Sequence, residues 1–344
     1  MDKSRCNNRR IYIELTSRCN LTCPFCPYSF IKREHTNFDL HLVESIVEDI
    51  IKNIPYRIIY FHNVGEPLLY PYLEELLEYC DRKRATYGIT TNGLLLASRT
   101  EILKDKKIKE INISYQVTNP ELHRRRGIKM SVEEYRSLIL QAVKNLFLMG
   151  YSGVIKIKLL TTDAYSRFMN EKFRNIQNHK ELIEEIEKIY LEFYSRSLTR
   201  KQMDKVFQLD IHRHNKIQIG KSFFVETFPF LNWGNFRQKI WPAFFGKCDG
   251  IVNQLLISVN GNVSPCCYDV EGDLVLGNIK KTPLSQILSS CEAENFMKEN
   301  LSVLVRRKRC QRCLGDFSFR RNLKKQIEVI LGKDMSQRSR TIIL

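Results

Sequence analysis

Hydrophobic positions recur along this chain in two alternating rhythms, and the alternation predicts its elements. Ile11–Leu15 is a short apolar run of strand length. Leu40–Asn53 then places Leu42, Val43, Ile46, Val47, Ile50 and Ile51 at helical spacing, with Asp39 positioned to cap them. Strand-like Arg57–Phe61 precedes helical Tyr72–Arg82, and Thr86–Thr90 runs into the turn Thr91-Asn92-Gly93. Glu110–Tyr115 is a fourth strand. The next helix opens on a capping box, Ser131 with Glu134, and Gly150 can close it. Val154–Leu160 is a fifth strand, Glu171–Tyr190 a charged helix and Lys216–Gly220 a sixth strand. Such alternation builds a parallel sheet, open or closed into a barrel, with its chemistry at the C-terminal strand ends.

The pattern changes near residue 225. Phe223–Phe245 is aromatic-rich, with Pro229, Trp233, Gly234, Trp241 and Pro242, and Phe228–Trp241 within it reads as packing at a domain junction, a stacking platform being the alternative. Gln254–Val259, Asn260-Gly261 and Asn262–Cys267 read as a hairpin, because Asn-Gly supplies the left-handed turn two strands need. Leu284–Asn300 reads as one helix, with Cys291 buried on it, and Cys310 and Cys313 follow. The expected division is therefore 1–225, a small cysteine-organised domain over 226–315, and a basic tail over 316–344. The tail is expected as a helix with Leu323, Ile327, Ile330 and Leu331 toward the protein.

Composition alters this picture in two respects. Of 344 residues 43% are hydrophobic, enough for a sizeable core, yet the formal net charge is +17. Residues 306–344 alone carry 12 Lys/Arg against three Asp/Glu. Such a field favours an anionic partner without choosing its class. The first ten residues are polar and basic, and no stretch reaches the roughly 18 apolar residues of a membrane span. The expected location is cytoplasmic, where eleven cysteines point to metal or redox chemistry over disulfides.

The first cysteines form one string, Cys19-Asn-Leu-Thr-Cys23-Pro-Phe-Cys26, in the loop after the first strand. Three thiolates at this spacing can wrap one corner of a cubane cluster and leave its fourth iron without a protein ligand. An open position marks a catalytic metal site; a zinc knuckle is the structural alternative. The string resembles the C-x3-C-x2-C signature of the radical S-adenosylmethionine (SAM) superfamily, with Phe25 as the aromatic residue before the last cysteine. The resemblance implies a [4Fe-4S] cluster whose unique iron is chelated by SAM. It also implies reductive cleavage to methionine and a 5′-deoxyadenosyl radical, which abstracts a substrate hydrogen atom.

Further segments resemble the same family. Asn63-Val64-Gly65-Glu66-Pro67 is similar to its Gly-Gly-Glu motif, with Val64 replacing the first glycine; Gly65 and Glu66 are thereby expected to bind the methionine ammonium. Asn92 of the Thr-Asn-Gly turn is expected beneath the cofactor, Ser114 near its ribose, and Arg126, followed by Gly127, against its carboxylate. A solvated basic loop is the alternative for Arg124–Arg126.

Cys248, Gly261, Cys266, Cys310 and Cys313 form a second constellation. Spacing alone admits a four-cysteine zinc site. Beside the first motif it resembles the auxiliary-cluster domain of the same superfamily, called SPASM with seven cysteines and twitch with four. No cysteine follows Cys313, so the shorter form is expected, implying one auxiliary [4Fe-4S] cluster that relays electrons. Cys267 is expected as a packed thiol, and Cys6 and Cys80 as incidental. His212 and His214 read as surface residues.

The expected architecture is a partial (β/α)6 TIM-like barrel followed by a small α+β twitch/SPASM domain. The resemblance implies an oxidoreductase acting on a sugar, an aminocyclitol or a carrier-linked small molecule, as in 2-deoxy-scyllo-inosamine dehydrogenase-like proteins. It also implies an external electron donor of the flavodoxin or ferredoxin type. A peptide substrate is the second enzymatic expectation, less favoured because no N-terminal peptide-recognition domain is evident. A non-catalytic iron–sulfur or zinc protein that binds nucleic acid is the alternative from another class. No P-loop, dinucleotide fingerprint or serine-type triad occurs, and no catalytic acid or base is singled out.

Overall fold

Strands and helices alternate through most of this protein, and its parallel strands are not quite those that periodicity selects. A computed structural model describes residues 7–161, 179–211, 213–229, 240–248, 250–332 and 340–344. The first half contains β1 (Arg10–Ile13), α1 (Leu40–Asn53), β2 (Ile58–Phe61), α2 (Leu73–Arg82), β3 (Tyr87–Thr91), α3 (Thr100–Lys104), β4 (Glu110–Gln116), α4 (Pro120–Arg125), α5 (Val132–Leu148) and β5 (Val154–Thr161). Next come α6 (His179–Tyr194), α7 (Arg200–Phe207), β6 (Asn215–Gln218) and β7 (Phe223–Pro229). The remainder is α8 (Gly250–Asn253), β8 (Gln254–Ile257), β9 (Asn262–Ser264), β10 (Gly277–Asn278), α9 (Leu284–Leu288), α10 (Cys291–Leu301), α11 (Lys308–Leu314), α12 (Phe319–Ile330) and β11 (Arg340–Ile343).

The chain packs as two compact units. One draws its described residues from Met1–Cys19, Cys26–Tyr87 and Asn232–Ser336, the other from Asn20–Phe25, Gly88–Leu231 and Gln337–Leu344. In the first unit the strand order is β10-β9-β8-β1-β2. β1 is parallel to both β2 and β8, while β8 and β9 form the expected hairpin, with Gly261 at φ +89° in its turn. The apolar stripe of α1, Val43, Ile46, Val47 and Ile50, is buried, and Asp39 caps the helix by accepting from the Leu42 N–H.

In the second unit the order is β3-β4-β5-β7-β6-β11. β3, β4, β5 and β7 are mutually parallel, and α5 opens on the capping box that Ser131 and Glu134 predict. The sixth parallel strand is β7. The expected strand Lys216–Gly220 is instead β6, an antiparallel partner of β7 across the turn at Gly220–Ser222. Phe223, Val225 and Thr227 of β7 are buried, so this part of the aromatic-rich run is sheet. Glu226 interrupts the run's hydrophobicity without breaking the strand, because Lys156 of β5 lies 3.6 Å and His214 3.7 Å from its carboxylate.

Three other expectations are corrected. Leu284–Asn300 is two helices: α9 ends near Ser289, and Ser290 caps α10 by accepting from the Ala293 N–H. Cys291 therefore opens a new helix and is exposed, not buried. The α12 stripe of Leu323, Ile327, Ile330 and Leu331 points to solvent, because the helix is attached through another face. Asn322 donates to the Pro242 carbonyl, Gln326 accepts from the Phe244 and Phe245 N–H groups, and Lys325 and Arg321 pair with buried Asp316. The tail also includes β11, parallel to β6. Residues 171–178 of the expected charged helix, Cys6, His212, Trp233 and Gly234 lie outside the described residues.

Candidate metal centre

The three cysteines of the first string follow β1 in a single loop, each half-buried. In the first unit this loop is braced from behind by the turn after β2. The Glu66 N–H donates to the Arg18 carbonyl, and a Cβ on Gly65 would lie 2.0 Å from the Thr16 carbonyl oxygen. Only glycine permits that approach. Glu66 is buried, and its Oε1 accepts from the Leu68 N–H at 3.1 Å. Tyr28 donates its hydroxyl to the Cys19 carbonyl.

The second unit holds the middle of the same loop. Phe25 is buried among Val117, Leu122 and Leu160, with Cys23 packed against that cluster. Asn92 Nδ2 donates to Asn20 Oδ1 at 2.7 Å, and its backbone carbonyl accepts from Tyr135. The Thr22 N–H donates to the Arg126 carbonyl at 2.8 Å.

Arg126 is almost wholly buried, and its side chain is committed to this unit. Nε donates to Cys23 Sγ at 3.4 Å, Nη2 to the Ser114 carbonyl at 2.9 Å and Nη1 to the Tyr115 carbonyl, over the Tyr135 ring. Ser114 thus enters through its carbonyl. The register of β4 shifts between Ile113 and Gln116, and Gln116 adopts φ +74°. That bulge turns two successive carbonyls toward one guanidinium. Asn20, Thr22, Tyr135 and Gln116 had no signal in the sequence beyond their nearness to a motif; only the packing around Cys23 singles them out.

The second constellation lies within the first unit, and there the structure brings Cys248, Cys266, Cys310 and Cys313 onto the wall of one pocket. Cys248 precedes α8, Cys266 follows β9, and Cys310 and Cys313 stand one turn apart on α11. The Gly250 N–H donates to Cys248 Sγ and the Tyr268 N–H to Cys266 Sγ, both at 3.3 Å. Burial, with smaller contributions from neighbouring cysteines, Cys248 and Cys266 among them, pushes the Cys310 and Cys313 thiols up to about 12. Cys266 is raised by its contact with Cys267 and by burial. Cys266 and Cys310 are half-buried while Cys248 and Cys313 reach the surface, and a set of thiols whose neighbours disfavour ionisation suits a cationic core, which would take them as thiolates. Among the described residues no three His, Cys, Asp or Glu side chains converge as they would on a single ion. Cys267 donates to Gln254, Cys80 is buried in α2, and neither lines the cavity.

Parallel α/β sheet with two sets of cysteines is the arrangement that comparison with known families matches. The Radical SAM superfamily matches residues 13–156, and the SPASM iron-sulfur cluster-binding domain matches 248–314. The chain thus carries a segment matching the Radical SAM model and, after it, one matching the SPASM model. A [4Fe-4S] cluster and SAM come with the first domain and auxiliary iron–sulfur chemistry with the second. Over 95 residues the chain is 35% identical to the tungsten-containing aldehyde ferredoxin oxidoreductase cofactor-modifying protein of Pyrococcus furiosus, covering 28% of this chain and 26% of that one. It is 28% identical over 142 residues to a probable GTP 3′,8-cyclase of Methanococcus maripaludis, covering 40% and 46%. The chain thus spans between a quarter and a half of the length of these curated relatives. Streptococcus suis SuiB bound to S-adenosylmethionine superposes with a TM-score of 0.53 at 17% identity, covering 88% of this chain and 77% of that one. Native anSMEcpe with bound AdoMet gives 0.51 at 17% identity, covering 94% and 97%. Both likenesses concern the fold. Among the described residues no helix is long and apolar enough to cross a membrane.

Proposed function

We propose that this chain cleaves SAM reductively and uses the resulting radical to oxidise or remodel a small or carrier-linked substrate of the sugar or aminocyclitol class. The observation that supports the reading is a loop bearing three cysteines together with a pocket lined by four more. Cys19, Cys23 and Cys26 are the thiolates for the first cluster, and Cys248, Cys266, Cys310 and Cys313 for the second. When bound, the first cluster and SAM supply the 5′-deoxyadenosyl radical that takes a hydrogen atom. Phe25 excludes water beside Cys23, and Gly65 lets the turn bearing Glu66 lie against the cysteine loop. Glu66 offers a carboxylate to an ammonium group, and Asn92 fixes the loop through Asn20. Cys248, Cys266, Cys310 and Cys313 would hold an auxiliary cluster, which would supply a one-electron sink for the substrate radical, and an external donor of the flavodoxin or ferredoxin class would supply the initiating electron.

Anaerobic reconstitution tests this. The chain is expected to hold about eight irons as two four-iron clusters and to release 5′-deoxyadenosine from SAM under reduction. Zinc in place of iron, with no deoxyadenosine, would overturn the reading in favour of a non-catalytic binding protein. Cys310→Ala is expected to keep SAM cleavage and lose product formation. Turnover of peptides but not of carrier-linked or small substrates would move the substrate class to the second expectation.

A further inference from the structure

The helix α12 is attached to the protein by its polar side and exposes its apolar one. Phe319, Leu323, Ile327, Ile330 and Leu331 recur at helical spacing, each between 46 and 67% exposed. The stripe is extended by Trp241, whose ring meets that of Phe319 at 5.1 Å, and by Phe244 and Phe245, whose N–H groups both bond Gln326. All three are themselves exposed. Apolar surface this continuous calls for an occupant.

The charges beside it restrict what the occupant is. Phe319–Leu331 contains Arg320, Arg321, Lys324 and Lys325 against a single acidic residue, Glu328. Arg321 and Lys325 are taken by Asp316, which is buried. Arg320 and Lys324 have no carboxylate partner among the described residues, and they lie along the side of the stripe away from the attached face. An occupant must therefore present negative charge beside apolar depth. A second copy of this chain meets the apolar demand but brings its own cationic rim against this one, which a two-fold contact repels. Nucleic acid meets the charge and could stack on Phe319, but it gains nothing from the aliphatic Leu323, Ile327, Ile330 and Leu331 that make up most of the stripe.

We infer that α12, with Trp241, Phe244 and Phe245, is a peripheral docking face for an anionic lipid surface. The helix lies in the headgroup plane, with its stripe among the acyl chains and Arg320 and Lys324 at the phosphates. The attachment through Asn322, Gln326 and Asp316 need not change for this to happen.

The whole protein, sedimented with vesicles, tests the inference. Binding is expected with phosphatidylcholine vesicles containing phosphatidylglycerol, and much weaker binding with phosphatidylcholine alone. Leu323→Glu and Ile327→Glu are expected to weaken it on the order of tenfold each, because a buried aliphatic contact is lost. Arg320→Glu with Lys324→Glu is expected to abolish the preference for anionic lipid and its sensitivity to salt. These positions are exposed, so the variants retain the fold, which circular dichroism checks. Equal binding by wild type and the stripe variants overturns the inference. So does a concentration-dependent dimer that Ile327→Glu dissociates, which would assign the stripe to a second copy. Retention by single-stranded nucleic acid without vesicle binding overturns it too.

Discussion

Arg126 shows how a single buried charge can brace a cysteine loop. Its guanidinium spans two carbonyls of the β4 bulge and the sulfur of Cys23. A charge-assisted hydrogen bond to a cluster thiolate favours the reduced state. Arg126→Lys keeps the charge and loses the fork, so the potential of the first cluster is expected to fall in an EPR-monitored redox titration. An unchanged potential would separate Arg126 from the cluster. Gly65 is constrained as tightly by a different force. Gly65→Ala would place a methyl group 2.0 Å from a backbone oxygen, and overpacking of that kind costs about 3 kcal/mol, read as a lower urea midpoint. The sequence marked both residues through family motifs. It could not show that each braces the cysteine loop, since neither bond joins chain neighbours.

At the scale of elements, local signals worked where local physics decides. Asp39 before α1 and the Ser131/Glu134 box before α5 are satisfied within one turn, and both helices begin there. Ser131→Ala is expected to cost about 1 kcal/mol by denaturant unfolding. The sixth strand was misplaced because its identity depends on a partner. Phe223–Pro229 is strand only because β5 offers it an edge, and Glu226 is tolerable there only because Lys156, Lys158 and His214 meet it. Burial opposes its ionisation, yet those contacts outweigh burial and hold its carboxyl at about 2, below the ordinary 4.5. Its stabilising contribution is therefore complete above about pH 4.5 and is lost as pH falls toward 2, roughly 3 kcal/mol at most. Glu226→Gln is expected to flatten the acid limb of the stability curve by that amount, measured by unfolding at several pH values. The α12 stripe misled for the same reason, since periodicity reports that one face is apolar and not which face is held.

For the whole molecule, the cysteine pocket is expected to link folding to metal. Thiols raised to about 12 keep their protons near neutrality, so loading the cavity must displace them. Iron incorporation into the second site is expected to rise with pH between roughly 7 and 9. Iron and sulfide analysis of the Cys19→Ala, Cys23→Ala, Cys26→Ala protein checks this, and a flat profile would show that thiol protonation does not control loading. Chelation is expected to lower the melting temperature of the same protein.

The sequence alone determined the cysteine spacings, the motif turns, the capped helices and the alternation that makes a parallel α/β fold. Each depends on residues within a few positions of one another, where spacing and chemistry suffice. Tertiary structure decided what depends on distant partners. It chose β7 over β6 as the sixth parallel strand, and it set β8 of the second cysteine region beside β1. It gathered Cys248, Cys266, Cys310 and Cys313 onto one wall and committed Arg126 to Cys23. It also turned the stripe of α12 outward. The reason is common to all: a hydrogen-bonding edge, a buried charge or an apolar face is satisfied by whichever group the fold delivers, and chain distance does not specify that group.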